Sequence, residues 1–301
     1  MHSFKAVPVL VTGAGRGIGK RLAIGFALKG ARVGLIARSK AELDLCHLEI
    51  EHGGGAALRI RADVCDYEQV SAAVERMRVQ FGSAVQVLVC SAAILGPIGP
   101  FVETSAKSWQ DIVQTNLIGV MNACRAVLPS MIERRNGKII VIAGVGGVLP
   151  ARPNFAVHSA TKTALVRFVE SLAEEVADYN VQVNCLSPGE TYTHMTDQVL
   201  AAGDRAGWRE LESARQVRMT GGVAAEKQIA LAHFLASPES NHVTGRMIHV
   251  GDDWKKLNDA ISSSQSGSPD MSEALSLFSS LRAIADDAQS KCDLDLGIPM
   301  L

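Results

Sequence analysis

The chain has few aromatic residues, no excess of charge of either sign and no long apolar run. Aromatic residues make up 5% of its 301 residues, and the formal net charge is −1 with both signs interspersed. Such a balanced chain offers no charged surface that would attract nucleic acid or an anionic membrane. No apolar run reaches the roughly 20 residues that a transmembrane helix needs. We therefore expect neither a nucleic-acid partner nor a membrane partner.

Cysteine pairs with a metal-binding spacing are also missing. The six cysteines form no Cys-x-x-Cys and no Cys/His ligand pattern, and most lie in apolar contexts, where cysteine acts as a small hydrophobic residue. This usage is typical of a reduced, intracellular protein and predicts no metal site. A strand pattern begins within the first ten residues, so we expect no signal peptide and a cytoplasmic location.

What the sequence does have is a regular alternation of apolar runs and helix-length amphipathic segments. Strands are predicted at Val7–Val11, Ala31–Ala37, Leu58–Asp63, Val85–Ser91, Lys138–Ile142, Val181–Leu186 and Met247–Val250. Apolar strands that alternate with helices favour a parallel sheet covered on both faces. The predicted fold is an α/β, doubly wound, Rossmann-like parallel sheet of about seven strands with helices on both faces.

The strand pattern stops after Trp254. Residues 1–254 are therefore predicted to form one domain. Residues 261–268 read as a Ser/Gly linker, and apolar residues then recur at helical spacing from Met271 to Ile284. Residues 255–301 are predicted to be a Ser-rich linker and a C-terminal amphipathic helix. That helix could dock on its own body or on a neighbouring subunit, or remain partly disordered.

A glycine-rich turn follows the first predicted strand and opens a helix. Glycines permit a tight turn and let backbone N–H groups approach a pyrophosphate, which the helix dipole also favours. A strand before and a helix after are the context that this signal requires. The turn predicts a dinucleotide-binding domain, with candidate cofactor residues Thr12, Gly13, Gly15, Arg16, Gly17, Ile18 and Gly19.

The second predicted strand ends at Ala37, Arg38 and Ser39. An NAD enzyme of this fold usually has an acid at this point to bind the ribose 2′-hydroxyl, which Ala37 cannot do. Arg38 and Arg16 could instead bind a 2′-phosphate through charge-assisted hydrogen bonds. The alternative is that both are ordinary exposed arginines. The pattern favours NADP(H) over NAD(H) as the cofactor.

The glycine-rich segment resembles the Thr-Gly-x-x-x-Gly-x-Gly motif of the short-chain dehydrogenase/reductase family, and further matches follow in the family's order over about residues 7–251. The resemblance implies that the acid of an Ala-Asp-Val segment meets the adenine amino group and that a Pro-Gly motif flanks the nicotinamide. It adds these cofactor-binding candidates: Asp63, Val64, Ser91, Ala92, Lys162, Pro188, Gly189, Thr191 and Thr193. It also implies a homodimer or homotetramer formed through the helices that carry Asn116 and Lys162.

The Tyr-x-x-x-Lys pair that this family uses to move a proton is absent. None of the three tyrosines is followed by lysine four residues later, and the matching positions are His158 and Lys162. The family's serine falls on Ala143 or Gly144, neither of which has a hydroxyl. The family's usual mechanism, which depends on the tyrosine and serine hydroxyls, therefore cannot operate in this chain. The candidate catalytic residues are His158, Lys162 and Asn116.

Two interpretations of this site compete, and a third is conceivable. In the first, His158 acts as acid or base, although the charge of Lys162 one helical turn away should lower its pKa. Tyr192 or His194 could then supply further donors. In the second, the protein binds NADP without redox catalysis and acts as a sensor or scaffold subunit. The third is a net non-redox reaction, such as an epimerisation through a transient keto intermediate. No residue of the sequence specifically indicates this third reaction.

The substrate is expected to be a small carbonyl compound or alcohol. Residues from about 190 to 222 are predicted to form a lid over it, because loops at the carboxyl ends of strands are where this architecture binds ligands. Gly144, Tyr192 and His194 are the candidate substrate contacts. The expected function is NADP(H)-dependent interconversion of a carbonyl and an alcohol, and neither substrate identity nor direction follows from the sequence.

Overall fold

The computed structural model describes residues 2–144 and 151–254. The predicted Ser-rich linker and C-terminal helix, at residues 255–301, lie outside the described residues. Within the described part, none of the helices has the length and apolar character needed to cross a bilayer.

Seven parallel strands form a single sheet. They are β1 (Pro8–Thr12), β2 (Arg32–Ala37), β3 (Ala56–Arg61), β4 (Val87–Cys90), β5 (Gly137–Ile142), β6 (Val181–Ser187) and β7 (Met247–His249). Their spatial order is β3-β2-β1-β4-β5-β6-β7. This confirms the predicted doubly wound sheet. The chain reverses direction of winding between β1 and β4, and ligands of such sheets bind at the carboxyl ends beside this switch point.

The central strands are buried on both faces, as their continuous apolar sequences indicate. Every residue of β1, β4, β5 and β6 is buried, since helices cover the sheet on either side. The edge strand β3 differs, because only Ile60 in it is buried. Its predicted span, Leu58–Asp63, was wrong by two residues at each end: pairing with β2 runs from Ala56 to Arg61. The error arose because the prediction relied on a continuous apolar run, whereas this strand is largely exposed to solvent.

Nine helices lie in the described part of the chain. They are α1 (Gly17–Ala27), α2 (Lys40–His52), α3 (Tyr67–Phe81), α4 (Ala106–Val113), α5 (Gly119–Glu133), α6 (Ala156–Glu175), α7 (His194–Ala202), α8 (Trp208–Thr220) and α9 (Ala225–Ala236). Buried residues of α3, α5 and α6 share one core with the sheet, whereas α1 packs against α2 and α9.

One turn of π-helix, Gln114–Ile118, joins α4 to α5. Such a turn has one residue more than the α-helical repeat, and π turns occur frequently at functional sites. The turn buries Thr115 and leaves Asn116 fully inaccessible to solvent. The sequence pattern predicted a helix here but not its wider turn.

His233 of α9 makes acid stability a testable property of the fold. Its ring lies against Phe4 and Phe26, with ring centroids 5.0 and 4.9 Å away, and burial lowers its pKa to about 4. The unfolded chain therefore binds one proton more than the folded chain between pH 4 and 6.5, so stability falls as pH drops through this window, by at most about 1.4 kcal/mol per pH unit.

In His233→Phe, urea unfolding between pH 4 and 7.5 is expected to show a pH slope smaller by up to one proton. An unaltered slope in His233→Phe would show that this ring is not the group that titrates on unfolding.

Candidate functional site

The carboxyl ends of β1 and β4 are joined by the side chain of Thr12. Its hydroxyl accepts hydrogen bonds from the backbone N–H groups of Ser91, at 3.2 Å, and Ala92, at 3.3 Å. The neighbouring Gly13 lies so close that a Cβ on it would be 2.7 Å from the backbone of Ala92. Only glycine fits at this position. Its lack of a side chain lets the glycine-rich turn pack directly against the backbone that follows β4, at the carboxyl edge of the sheet.

The first turn of α1 has no side-chain cap. Arg16 precedes the helix in an extended conformation and caps no backbone N–H. Gly17 has a φ of 57°, and a Cβ on Gly19 would lie 2.3 Å from the carbonyl oxygen of Gly13. Uncapped N–H groups at a helix N-terminus bind anions well. The residues present therefore fit the pyrophosphate of a dinucleotide.

Two arginines stand beside the end of β2, each with an acidic neighbour. Arg16 forms an ion pair with Glu42 at 3.2 Å, and Arg38 approaches Asp63 at 3.9 Å. Both guanidinium groups are more than half exposed, so an anion from solvent can reach them. Ser39 turns its hydroxyl to the backbone of Glu42 and caps α2.

A third arginine at this place was not recognised in the sequence. Arg61 ends β3 and donates from Nε to the carbonyl oxygen of Arg38, at 3.1 Å. Strand pairing sets it opposite Ala37. The three arginines outnumber the two carboxylates, Glu42 and Asp63, that pair with them. This group of side chains beside β2 therefore has a net positive charge. The alternation of arginine and apolar residues in β3 was the available signal.

A buried glutamine of α9 holds the loop after β6 in place through hydrogen bonds. Gln228 of α9 is fully buried and donates from Nε2 to the carbonyl oxygen of Pro188, at 2.9 Å, and to Thr191 Oγ1, at 2.6 Å. Thr191 in turn donates to the carbonyl oxygen of Gly189, at 3.1 Å. Gln228 belongs to no motif, so sequence reasoning missed it.

Thr193 brings this loop to the glycine-rich turn. It caps α7 in a reciprocal pair with Thr196, and its methyl carbon lies 3.4 Å from where a Cβ on Gly17 would be. Arg21 of α1 also donates to the carbonyl oxygen of Tyr192, at 3.4 Å. The two predicted cofactor segments therefore meet across the carboxyl edge of the sheet.

Asn116 and His158 both bond to the backbone of Ile94. Asn116 accepts from the N–H of Ile94 at 2.8 Å and donates to its carbonyl oxygen at 3.0 Å. His158 Nδ1 lies 3.2 Å from that same oxygen. The π turn delivers Asn116, and α6 delivers His158. Ile94, the centre of this arrangement, carried no sequence signal because only its backbone is used.

Lys162 lies one helical turn after His158 and donates to the carbonyl oxygen of Ile142, the last residue of β5, at 3.0 Å. Burial lowers the pKa of Lys162 to about 8. Burial, and then the charge of Lys162, lower the pKa of His158 to about 3. The lysine is therefore largely charged at pH 7, whereas the imidazole is neutral.

Comparison with known proteins agrees with this geometry. Residues 8–203 match the short chain dehydrogenase family. The chain belongs to this family. A 3-oxoacyl-[acyl-carrier-protein] reductase of Staphylococcus aureus is 33% identical over 242 residues, which cover 80% of this chain and 95% of the relative.

Two solved structures of short-chain dehydrogenases show the cofactors that relatives bind. Actinorhodin polyketide ketoreductase with NADPH has a TM-score of 0.75 and 30% identity, covering 83% of this chain and 97% of its own. A 3-oxoacyl-[acyl-carrier protein] reductase with bound NAD from Brucella melitensis has a TM-score of 0.70 and 30% identity, covering 82% and 90%. Relatives of this chain are oxidoreductases that bind nicotinamide cofactors.

The residues that could replace the family's hydroxyl donors are unequally placed. Tyr192 is exposed, and its hydroxyl donates to Asp197 at 2.8 Å rather than toward the site. His194 begins α7 and is exposed. Ala143 is fully buried, and no atom of the described residues lies within 4 Å of where a Cβ on Gly144 would be. In this structure the hydroxyl of Tyr192 is therefore engaged by Asp197.

The segment predicted as a lid forms α7 and α8, closed at its base by a bridge between Thr191 and Gly222. Arg152, just before α6, pairs with Glu210 of α8 through two hydrogen bonds of 2.8 and 2.5 Å. Both side chains are about three-quarters buried. The paired charges tie the lid helix to the start of the helix that carries His158 and Lys162.

Breaking this ion pair is expected to loosen the lid. In Arg152→Leu, the unpaired carboxylate of Glu210 costs about 1–3 kcal/mol, which corresponds to a roughly 5- to 150-fold faster hydrogen exchange of α8 amides. Arg215→Leu, which removes an exposed ion pair on the same helix, is the matched control and is expected to change exchange little. Equal exchange in both variants would show that the ion pair does not hold the lid.

Proposed function

We propose that the chain binds NADP(H) and interconverts a carbonyl and an alcohol in a small molecule. The observation that carries this proposal is the meeting of an uncapped glycine-rich turn, the Pro188–Gly189 loop and the amine of Lys162 at one edge of the sheet. The family's oxidoreductase relatives support the reaction class.

The cofactor would lie along the carboxyl edge of the sheet and would supply or accept a hydride. The amides of the first turn of α1 would bind its pyrophosphate, and Asp63 its adenine. Three arginines favour a 2′-phosphate over a hydroxyl at the end of β2: Arg16, Arg38 and Arg61. NAD(H) is the less favoured cofactor.

Lys162 would contribute the positive charge of the reacting centre. An oxygen that gains negative charge during hydride transfer is stabilised by a nearby cation in a site withdrawn from water. Asn116 would act on His158 through the carbonyl group of Ile94, to which both side chains bond. Asn116 is thus proposed as a positioning residue, and Lys162 and His158 as the groups nearest the reaction.

We further propose a cytoplasmic homodimer or homotetramer that pairs through the faces of α5 and α6. The part of α6 from Ser159 to Ala173 is rich in apolar and small residues, which is compatible with such an interface. Analytical ultracentrifugation would test the oligomeric proposal directly, since a monomer at micromolar concentration would refute it.

Two measurements test the proposed function in sequence. NADPH fluorescence titration is expected to show saturable binding that NADP⁺ competes. Initial rates with a panel of secondary alcohols and ketones, in both directions from pH 5 to 9, are then expected to show turnover. Absence of NADPH binding would refute the cofactor assignment.

A catalytically silent NADP-binding protein, acting as a sensor or scaffold subunit, is the second candidate. One observation favours it: the N–H donors of Asn116 and His158 already bond to the backbone of Ile94. In His158→Ala an enzyme loses kcat while it retains NADPH binding, whereas a silent protein has no turnover to lose.

A further inference from the structure

The hydrogen bond of His158 determines which of its ring nitrogens carries the proton. Nδ1 lies 3.2 Å from the carbonyl oxygen of Ile94. A carbonyl oxygen only accepts hydrogen bonds, so Nδ1 must be the protonated nitrogen in this contact. In a neutral imidazole, Nε2 then has a free lone pair and is an acceptor.

The surroundings of the ring keep it in this neutral state. His158 is 8% exposed, and the two charged groups that act on it are both cations, Lys162 on its own helix and Arg152 just before it. Both oppose a second proton. The Ile94 carbonyl is itself fixed by Asn116, at 3.0 Å, so the ring's partner does not need to rearrange.

We propose that His158 makes this a site for hydroxyl groups: Nε2 accepts a hydrogen bond from the alcohol that loses hydride. The inference rests on the proposed function, because it assumes that the pocket receives the reacting group. The substrate class it names is a secondary alcohol, recognised through its O–H.

The proposed step balances for protons and electrons. As the alcohol is oxidised, the O–H proton passes to Nε2 and the C–H hydride passes to NADP⁺. The products are the ketone, NADPH and a proton, which Nε2 passes on to water at once because the charges of Lys162 and Arg152 destabilise the transient imidazolium. The charge of Lys162 stabilises the alkoxide-like oxygen during the transfer.

A ketone meets the same ring differently. Its oxygen has no proton to donate, so the ketone oxygen and Nε2 face each other as two acceptors, and both lose the partners they had in water. Leaving such groups unpaired weakens binding by roughly tenfold or more. The cofactor-loaded protein is therefore expected to bind an alcohol more tightly than the corresponding ketone.

The tautomer can be measured without substrate or turnover. In protein labelled with ¹⁵N-histidine, long-range ¹H–¹⁵N spectra distinguish Nδ1–H from Nε2–H rings, and loss of one set of signals in His158→Gln assigns His158 among the eight histidines. The expected result is a protonated Nδ1 and a bare Nε2 from pH 5.5 to 8. An Nε2–H ring, or an imidazolium at pH 7, would overturn the proposal.

A second arm uses isopropanol with the NADPH-loaded protein and acetone with the NADP⁺-loaded protein, because neither mixture can react. Isopropanol is expected to shift the Nε2 signal of His158 toward its hydrogen-bonded value, and acetone is not. In His158→Phe, which has no ring nitrogen, isopropanol is expected to lose its advantage over acetone. No shift with isopropanol, or an equal shift with acetone, would refute hydroxyl recognition.

Failure of the proposed function would show itself separately. If NADPH fluorescence titration gives no binding, the cofactor assignment is wrong, whereas the histidine spectra report on the inference alone.

Discussion

Replacement of Lys162 by methionine is expected to lower turnover by about 10²- to 10³-fold, the range that loss of one group stabilising a developing negative charge costs. The amine lies at the end of β5, 3.0 Å from the carbonyl oxygen of Ile142, and of the two cations that act on His158 it has the larger effect. Methionine keeps the length and apolar stem of the side chain but removes the charge. Initial rates at saturating cofactor would measure the loss of kcat.

The chain offers a matched control in Lys138. This lysine is also buried, its pKa is also lowered to about 8 by burial, and it donates to Asn241 at 2.7 Å. It lies near the start of β5, however, at the opposite edge of the sheet from the site. Lys138→Met is expected to lower stability but leave kcat within about twofold of wild type. Equal losses of kcat in both variants would contradict a specific role for Lys162.

Replacement of Arg38 by aspartate is expected to reverse the preference between NADPH and NADH. Each charge-assisted hydrogen bond to a phosphate contributes about 1.5–3 kcal/mol, so NADPH binding falls by roughly 10- to 100-fold. The new carboxylate repels the 2′-phosphate and can accept a hydrogen bond from a 2′-hydroxyl. Fluorescence titration with both cofactors would give the ratio of dissociation constants.

Arg59 provides the control for this charge reversal. It lies two residues before Arg61 on the same face of β3, and it pairs with Asp44 at 2.6 Å. Because this position is farther from the carboxyl edge of the sheet, Arg59→Asp is expected to leave the NADPH-to-NADH ratio within about threefold of wild type. An unchanged ratio in Arg38→Asp would instead indicate that Arg38 is an ordinary surface residue.

The sequence predicted the sheet well, because strands buried on both faces are continuous apolar runs. The spans of β1, β5 and β6 came within one residue of the structure at each end. The edge strand β3 was misplaced, since one of its faces meets solvent and its arginines interrupt the apolar pattern. The π turn at Asn116 could not be foreseen, because a single added residue in a helix leaves the apolar periodicity nearly intact.

Site residues were predictable where a local motif carries them, as for the glycine-rich turn and for Lys162. Contacts between distant segments were not. The backbone of Ile94 bonds to Asn116 and His158 across separations of 22 and 64 residues. The side chain of Ile94 takes no part. The same holds for Gln228, which lies 40 residues from the carbonyl of Pro188 that it supports.

The tautomer of His158 is the clearest example of a site property that could not be predicted from the sequence. The charge of Lys162 predicted a neutral ring, but which of its nitrogens is protonated could not be predicted from the sequence. That property depends on one carbonyl oxygen, 3.2 Å from Nδ1, and it decides whether the ring presents a donor or an acceptor to a ligand.

The measurement that tests the account most directly is NADP⁺- and NADPH-linked turnover of the purified protein with paired secondary alcohols and ketones, run beside Lys162→Met and Lys138→Met. Turnover is expected in the wild type and in Lys138→Met, and its loss is expected in Lys162→Met. Tight NADPH binding without turnover of any pair would contradict this account and would favour the silent cofactor-binding protein.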